Sequence, residues 1–350
     1  MKVTEKDILA ALSHVEDPDL KKDLVSLGMI RDIRIDGSKV SFSVYLTTPA
    51  CPLKDFLENA CRNAIAHFIS PDLELNIHMT SDVKGSAKVR EALPGVRNII
   101  AVGSGKGGVG KSTVTAGLAS VLSKSGARVG LMDADIYGPS IPILFGVENS
   151  PVEMVVNNGK ELMKPIEAGG IKLFSIGFLS KPGEAVVWRG PMISQALRQF
   201  INGVDWGELD YLLIDLPPGT GDIQLTLVQN LPLTGAVIVT TPQRLAVADA
   251  TKACAMFAIP AVNVPILGIV ENMAFFEPED NPGRQYRIFG EGGAEKLATL
   301  FNVPLLGSLP LKPEIGEEGD RGHILNDKNI KFFTEIAGQL VRQIAIHNVS

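Results

Sequence analysis

The stretch that decides the fold reads Ile99-Ile100-Ala101-Val102-Gly103-Ser104-Gly105-Lys106-Gly107-Gly108-Val109-Gly110-Lys111-Ser112-Thr113, and it runs into the helix-spaced segment Val114–Leu122. A short apolar strand, a glycine-rich turn and a helix follow one another in the order that a phosphate-binding loop requires. Gly105 to Ser112 fit the pattern G-x-x-x-x-G-K-S/T. Gly105, Gly107, Gly108 and Gly110 let the backbone N–H groups of residues 105–113, Val109 and Thr113 among them, curl around phosphate oxygens. The helix start adds its partial positive charge. Lys111 is placed to reach β- and γ-phosphates, and the Ser112 hydroxyl to bind Mg2+, a hard ion that prefers oxygen ligands.

Downstream of this loop, short apolar strands alternate with helical stretches: 99–102, 128–132, 173–176, 211–215, 236–240 and 265–271. That alternation predicts an α/β domain over 98–350, a doubly wound, mostly parallel sheet with helices on both faces. Upstream, Ile8, Leu9, Leu12 and Val15 have helical spacing and Asp17-Pro18-Asp19 stops them. Residues 30–35 and 39–46 alternate around Asp36-Gly37-Ser38 as a hairpin, a helix follows through Phe68, and 73–79 reads as a strand. These elements predict a small α+β domain over 1–80. Residues 81–97, polar and broken by Gly85, Pro94 and Gly95, read as a linker. A chain of 350 residues also exceeds the roughly 250–300 at which one core stops growing.

Composition narrows the function classes. With 45% hydrophobic and 21% charged residues the chain is neither disordered nor a coiled coil. Its apolar runs fall far short of the about 18 residues that span a bilayer. The net charge of −6 argues against nucleic acid or anionic lipid as a partner. The first residues lack a secretory pattern, and three cysteines are too few for a disulfide framework, so reduced thiols and a cytoplasmic location are expected. The five histidines show no ligand spacing. The helical pattern of 330–346 is poor in basic residues, which favours packing on the sheet over stable membrane association.

Carboxylates complete the predicted site. Asp133 and Asp135 end the second strand of the sheet, where doubly wound folds place ligands; they serve either the nucleotide or the turn that follows. Tyr211-Leu212-Leu213-Ile214-Asp215 is a Walker-B-type strand, and Asp215 is expected to hold Mg2+. The rigid turn Pro217-Pro218-Gly219 behind it has the character of a γ-phosphate sensor. Asn272 ends a further strand.

Lys106, a second lysine just after the first glycine, resembles the signature of the deviant phosphate-loop ATPases of the MinD, ParA and nitrogenase-iron-protein group. The resemblance implies a homodimer in which Lys106 acts in trans on the partner's ATP. It also implies that Asp135 orients the attacking water, that Asp133 supports the Mg2+ shell and that Asn272 reads the adenine edge. Asp133–Pro142, Val187–Met192, Asp215–Asp222 and Ile288–Gly293 then resemble the Mrp/ApbC iron–sulfur cluster carrier ATPases over about 98–345. Asp17-Pro18, Leu27-Gly28-Met29-Ile30 and Thr48-Pro49-Ala50-Cys51-Pro52 resemble the SufT-like domain that precedes many of them. That membership implies an Mg2+-dependent ATPase that delivers [4Fe–4S] clusters to client apoproteins, with iron–sulfur assembly proteins as partners.

One departure bears on the cargo. The family's C-x-x-C, which follows the Glu-Asn-Met strand, is absent; the stretch reads Phe275-Phe276-Glu277-Pro278-Glu279-Asp280-Asn281-Pro282-Gly283-Arg284-Gln285-Tyr286. Cys51 is then the candidate cluster ligand or reactive thiol, because a helix start after Pro52 would lower its pKa. Cys61 and Cys254 read as packing residues. The alternative function is a MinD/ParA-like switch that positions a partner protein without a cluster.

Overall fold

The computed structural model describes residues 3–136, 138–157, 159–179, 200–281, 283–324 and 326–349. The chain divides into two compact units, Met1–Lys84 with Val341–Ser350, and Gly85–Leu340.

The small unit opens with α1 (Glu5–Leu12), whose start is closed reciprocally: the Asp7 N–H donates to Thr4 Oγ1 and the Thr4 N–H to Asp7 Oδ2. Two-residue strands β1 (Glu16–Asp17) and β2 (Lys22–Asp23) pair after it. The hairpin of β3 (Ile30–Asp36) and β4 (Lys39–Leu46) forms around Gly37, whose φ of 61° suits its turn. After α2 (Lys54–Phe68), β5 (Glu74–Ser81) joins β4 in parallel. Alternate β4 residues Val40, Phe42, Val44 and Leu46 are buried with Ile8, Leu12, Leu57 and Ile65, so one sheet face carries the core.

The larger unit begins with α3 (Ala87–Ala92), β6 (Val96–Gly103) and α4 (Lys111–Lys124). Val89 and Val96 are wholly buried, so the stretch read as a polar linker contributes to the core. Gly95 permits this, since a Cβ there would lie 2.3 Å from the Gly207 carbonyl oxygen. Next come β7 (Val129–Asp133), α5 (Ile141–Leu144), the hairpin β8 (Met154–Asn157) and β9 (Lys160–Met163), then β10 (Ile166–Ala168) and β11 (Ile171–Ser175). The remainder is β12 (Leu209–Asp215), α6 (Asp222–Asn230), β13 (Gly235–Thr240), α7 (Arg244–Ala258), β14 (Ile266–Glu271), α8 (Gly293–Phe301), β15 (Leu305–Ser308), α9 (Pro313–Asp320), α10 (Asp327–Ile330) and the first part of α11 (Thr334–Val349), whose residues from Val341 onward count with the small unit.

Eight strands form one sheet in the order β10-β11-β7-β12-β6-β13-β14-β15, parallel except for the β10 edge. β6, β7, β12 and β13 are buried along most or all of their length, as helices on both faces require. Phe333, Ile336, Leu340 and Ile344 are buried, as their helical spacing predicts. Phe333 lies where a Cβ on Gly117 would come within 2.5 Å, so the glycine in α4 admits the ring. Among the described residues, no helix is long and apolar enough to cross a membrane.

Candidate nucleotide site

Parallel pairing brings the carboxyl ends of β6, β7 and β12 side by side, with Asp215 opposite Asp133 in register. The loop 104–110 leaves β6 at this edge and enters α4. Gly108 and Gly110 have φ of 80° and 79°, which a residue with a side chain adopts only under strain. Gly105 is required for packing as well: a Cβ there would fall 2.1 Å from the Asp249 carbonyl carbon of α7. Ser104 Oγ donates to the Lys106 carbonyl at 2.9 Å and fixes the turn from which Lys106 projects.

At the start of α4, Lys111 Nζ lies 2.6 Å from Asp215 Oδ2 and 3.8 Å from Asp135. Ser112 Oγ donates to the same Asp215 oxygen at 2.5 Å. Thr115 Oγ1 lies within hydrogen-bonding distance of both Asp215 Oδ1, at 2.8 Å, and the Lys111 carbonyl, at 2.9 Å. The buried Asp215 thus has a cation and two hydroxyls around it, the partners that a carboxylate at 0% exposure requires.

Asp133 accepts from the Asp135 N–H at 3.0 Å, the Ile141 N–H at 3.1 Å and Ser175 Oγ at 3.2 Å. Burial first, then the Asp215 charge, push its carboxyl well above the usual carboxylate range against the pull of these bonds. Its oxygens anchor the turn between β7 and α5, which is how it supports the position of Asp135. The Pro217-Pro218-Gly219 turn meets the loop directly, through the Gly219 N–H to the Ser104 carbonyl at 2.9 Å. Gln224 donates to the Pro218 carbonyl from the other side.

The structure therefore brings together Lys111, Ser112, Asp133, Asp135 and Asp215, with Lys106 on the loop above. Sequence reasoning missed Thr115, Ser104, Ser175 and Gln224. Thr115 had a signal, since it stands one helical turn after Lys111 and faces the same way. Asn272 donates from Nδ2 to the Val109 carbonyl at 2.9 Å. The segment Val187–Met192 and Tyr137 lie outside the described residues.

Cys51 departs from its expected chemistry. Helix α2 starts at Lys54 with Leu53 as its cap, and Cys51 is half-buried before it. Burial raises its thiol pKa against the pull of the Leu53 N–H, and Asp17 and Asp19 add smaller contributions to the rise. The helix start does not produce a ready thiolate. Cys61 and Cys254 are buried, with thiols pushed up to about 12 by desolvation. Among the described residues, no three His, Cys, Asp or Glu side chains are grouped as a metal site.

Residues 95–345 match the family described as the NUBPL iron-transfer P-loop NTPase. The chain belongs to that family. Residues 5–69 match the iron-sulfur cluster assembly protein family, so this P-loop NTPase carries a second module ahead of the first. An iron-sulfur cluster carrier protein of Synechocystis is 45% identical over 350 residues, covering 98% of this chain and 99% of the relative. One from Escherichia coli is 41% identical over 344 residues, covering 97% and 90%. A nucleotide-binding protein of Archaeoglobus fulgidus, solved in complex with ADP, aligns with a TM-score of 0.59 and 43% identity over 68% of this chain and 92% of that one. The NTPase unit thus shares its fold with that solved protein.

Proposed function

We propose that this P-loop NTPase is a homodimeric, Mg2+-dependent ATPase whose cycle serves the delivery of iron–sulfur clusters to client apoproteins, in the cytoplasm and with iron–sulfur assembly proteins as partners. The observation that carries the ATPase half is the convergence of Lys111, Ser112 and Thr115 on Asp215 at the mouth of the loop. Ser112 Oγ and Asp215 form a hard oxygen pair that suits Mg2+, which keeps its remaining sites for water and phosphate oxygens. When bound, the ion would neutralise charge on the terminal phosphates. Lys111 would leave Asp215 for the β- and γ-phosphates, the N–H groups of residues 105–113 would hold the phosphate oxygens, and Asp135 would orient the attacking water. Asp133 would support that arrangement by fixing the turn beneath Asp135. Lys106 would complete the partner's site.

Cluster carriage is supported by the family and by the names of the relatives. A [4Fe–4S] cluster normally takes four thiolates, and this chain has three cysteines, two of them buried. The cargo therefore needs sulfur from outside one chain, with Cys51 as the cysteine that has solvent access. Anaerobic incubation with iron and sulfide, followed by absorption spectroscopy and iron counting, tests this. Uptake by the wild type and its loss in Cys51→Ser are expected. A wild type that hydrolyses ATP and never takes up iron and sulfide would overturn carriage in favour of a MinD/ParA-like switch.

A further inference from the structure

We infer that Asn272 is a positioning residue for the phosphate loop, acting on the Val109-Gly110 backbone and not on the base alone; this rests on the nucleotide-site reading. Asn272 is 8% exposed and Val109 2% exposed. A loop whose N–H groups face phosphates turns carbonyls the other way, and a buried carbonyl needs a donor. For Val109 that donor is Asn272 Nδ2, at 2.9 Å.

The fit is steric as well as polar. A Cβ on Gly110 would lie 2.2 Å from Asn272 Nδ2, so the amide fills the space that the glycine leaves open. Gly110 itself is left-handed, with φ of 79°, and stands immediately before Lys111. Any shift of the Asn272 amide would therefore be felt at the residue that sets the direction of Lys111.

The amide is held from behind. The Asn272 N–H donates to the Thr240 carbonyl at 2.8 Å. Its neighbour Glu271, 4% exposed, accepts from the Ala294 N–H at 3.2 Å and from Ser308 Oγ at 3.4 Å. The end of β14 is thus tied to β13, to α8 and to β15. A side chain rooted in that junction can define the loop's shape whether or not a base is present.

Inorganic tripolyphosphate, which has the phosphates and no base, separates the two roles. Calorimetric titration of the full chain with Mg2+-tripolyphosphate and with Mg2+-ATP is expected to show Asn272→Ala weakening both by a similar factor, tenfold or more. Asn272→Leu, which keeps the bulk without donor or charge, should do the same, and it carries the test if the alanine variant does not fold by circular dichroism. Weakened ATP with unchanged tripolyphosphate would overturn the positioning role and leave a base reader. A folded wild type that binds neither compound would overturn the nucleotide-site reading itself.

Discussion

Lys111 Nζ stands 2.6 Å from Asp215 Oδ2, and the two side chains are 6% and 0% exposed. This pair joins the loop to the neighbouring strand, so under the proposed function a phosphate bound there would exchange one partner of Lys111 for another. Stability and the proposed catalysis would then rest on the same ammonium group, and mutation can separate them.

Lys111→Ala should lower ATP turnover by about 10²–10³-fold, the scale of losing one preorganised charge stabiliser. It should also destabilise the fold by up to about 3–5 kcal/mol, because Asp215 is left buried without its cationic partner. Adding Asp215→Asn should restore much of the stability and none of the turnover. Denaturant titrations beside hydrolysis assays decide this; wild-type-like turnover in a folded Lys111→Ala protein contradicts the site.

Thr115→Val keeps the shape of the side chain and removes a hydroxyl shared between Asp215 and the Lys111 carbonyl. Leaving a buried acceptor short of its donor costs about 1–3 kcal/mol, so the melting temperature should fall. Turnover should drop as Asp215 loses its orientation. An unchanged melt and rate would show that Ser112 and Lys111 suffice.

Lys106→Ala should still bind ATP, since Lys111 and the loop N–H groups remain, yet hydrolyse it about 10³-fold more slowly if the lysine acts across a dimer as an arginine finger does. Wild-type activity should rise more steeply than linearly with protein concentration near the dimer dissociation constant. A linear rise across a range where sedimentation shows monomer turning into dimer would exclude action in trans.

The cysteines give a pH prediction. Cys61 and Cys254 have thiols pushed up to about 12 from an ordinary value of 9.0. Below pH 9 both folded and unfolded chains are protonated and nothing is lost. Between about pH 9 and 12 only the unfolded chain ionises, so stability should fall as pH rises through that window. At pH 8 in native buffer iodoacetamide should modify Cys51 slowly and spare the other two until denaturant is added. Rapid native labelling of Cys61 or Cys254 would show that these sites open.

Much of this is legible in the sequence. The loop, its strand and its helix were clear because glycines, lysines and an apolar run must occur in that order to bind phosphate. Asp215 was clear because a buried strand rarely ends in an acid without a partner. The buried polar partners were harder. Ser175 reaches Asp133 from β11 across a strand pairing, and no local pattern encodes which strands become neighbours. The buried Val89 and Val96 are not legible because a short helix before a Pro-Gly turn has the composition of a connector, and only its packing distinguishes the two. The lowered thiol pKa expected of Cys51 is not found for another reason: the helix begins only at Lys54, and burial raises the thiol pKa.

The small unit joins residues up to Lys84 with residues from Val341 onward. Arg342 pairs with Asp19 at 2.7 Å, and Asn348 donates to the Lys84 carbonyl at 3.0 Å. Ribosomes add about 5–20 residues per second and domains tend to fold as they emerge. The first-made residues of this unit must therefore wait while the whole NTPase sheet is synthesised. During that interval the nascent unit lacks its closing segment, so a stalled or truncated chain would present an unfinished surface to chaperones and proteases even if every residue of the nucleotide site had been made.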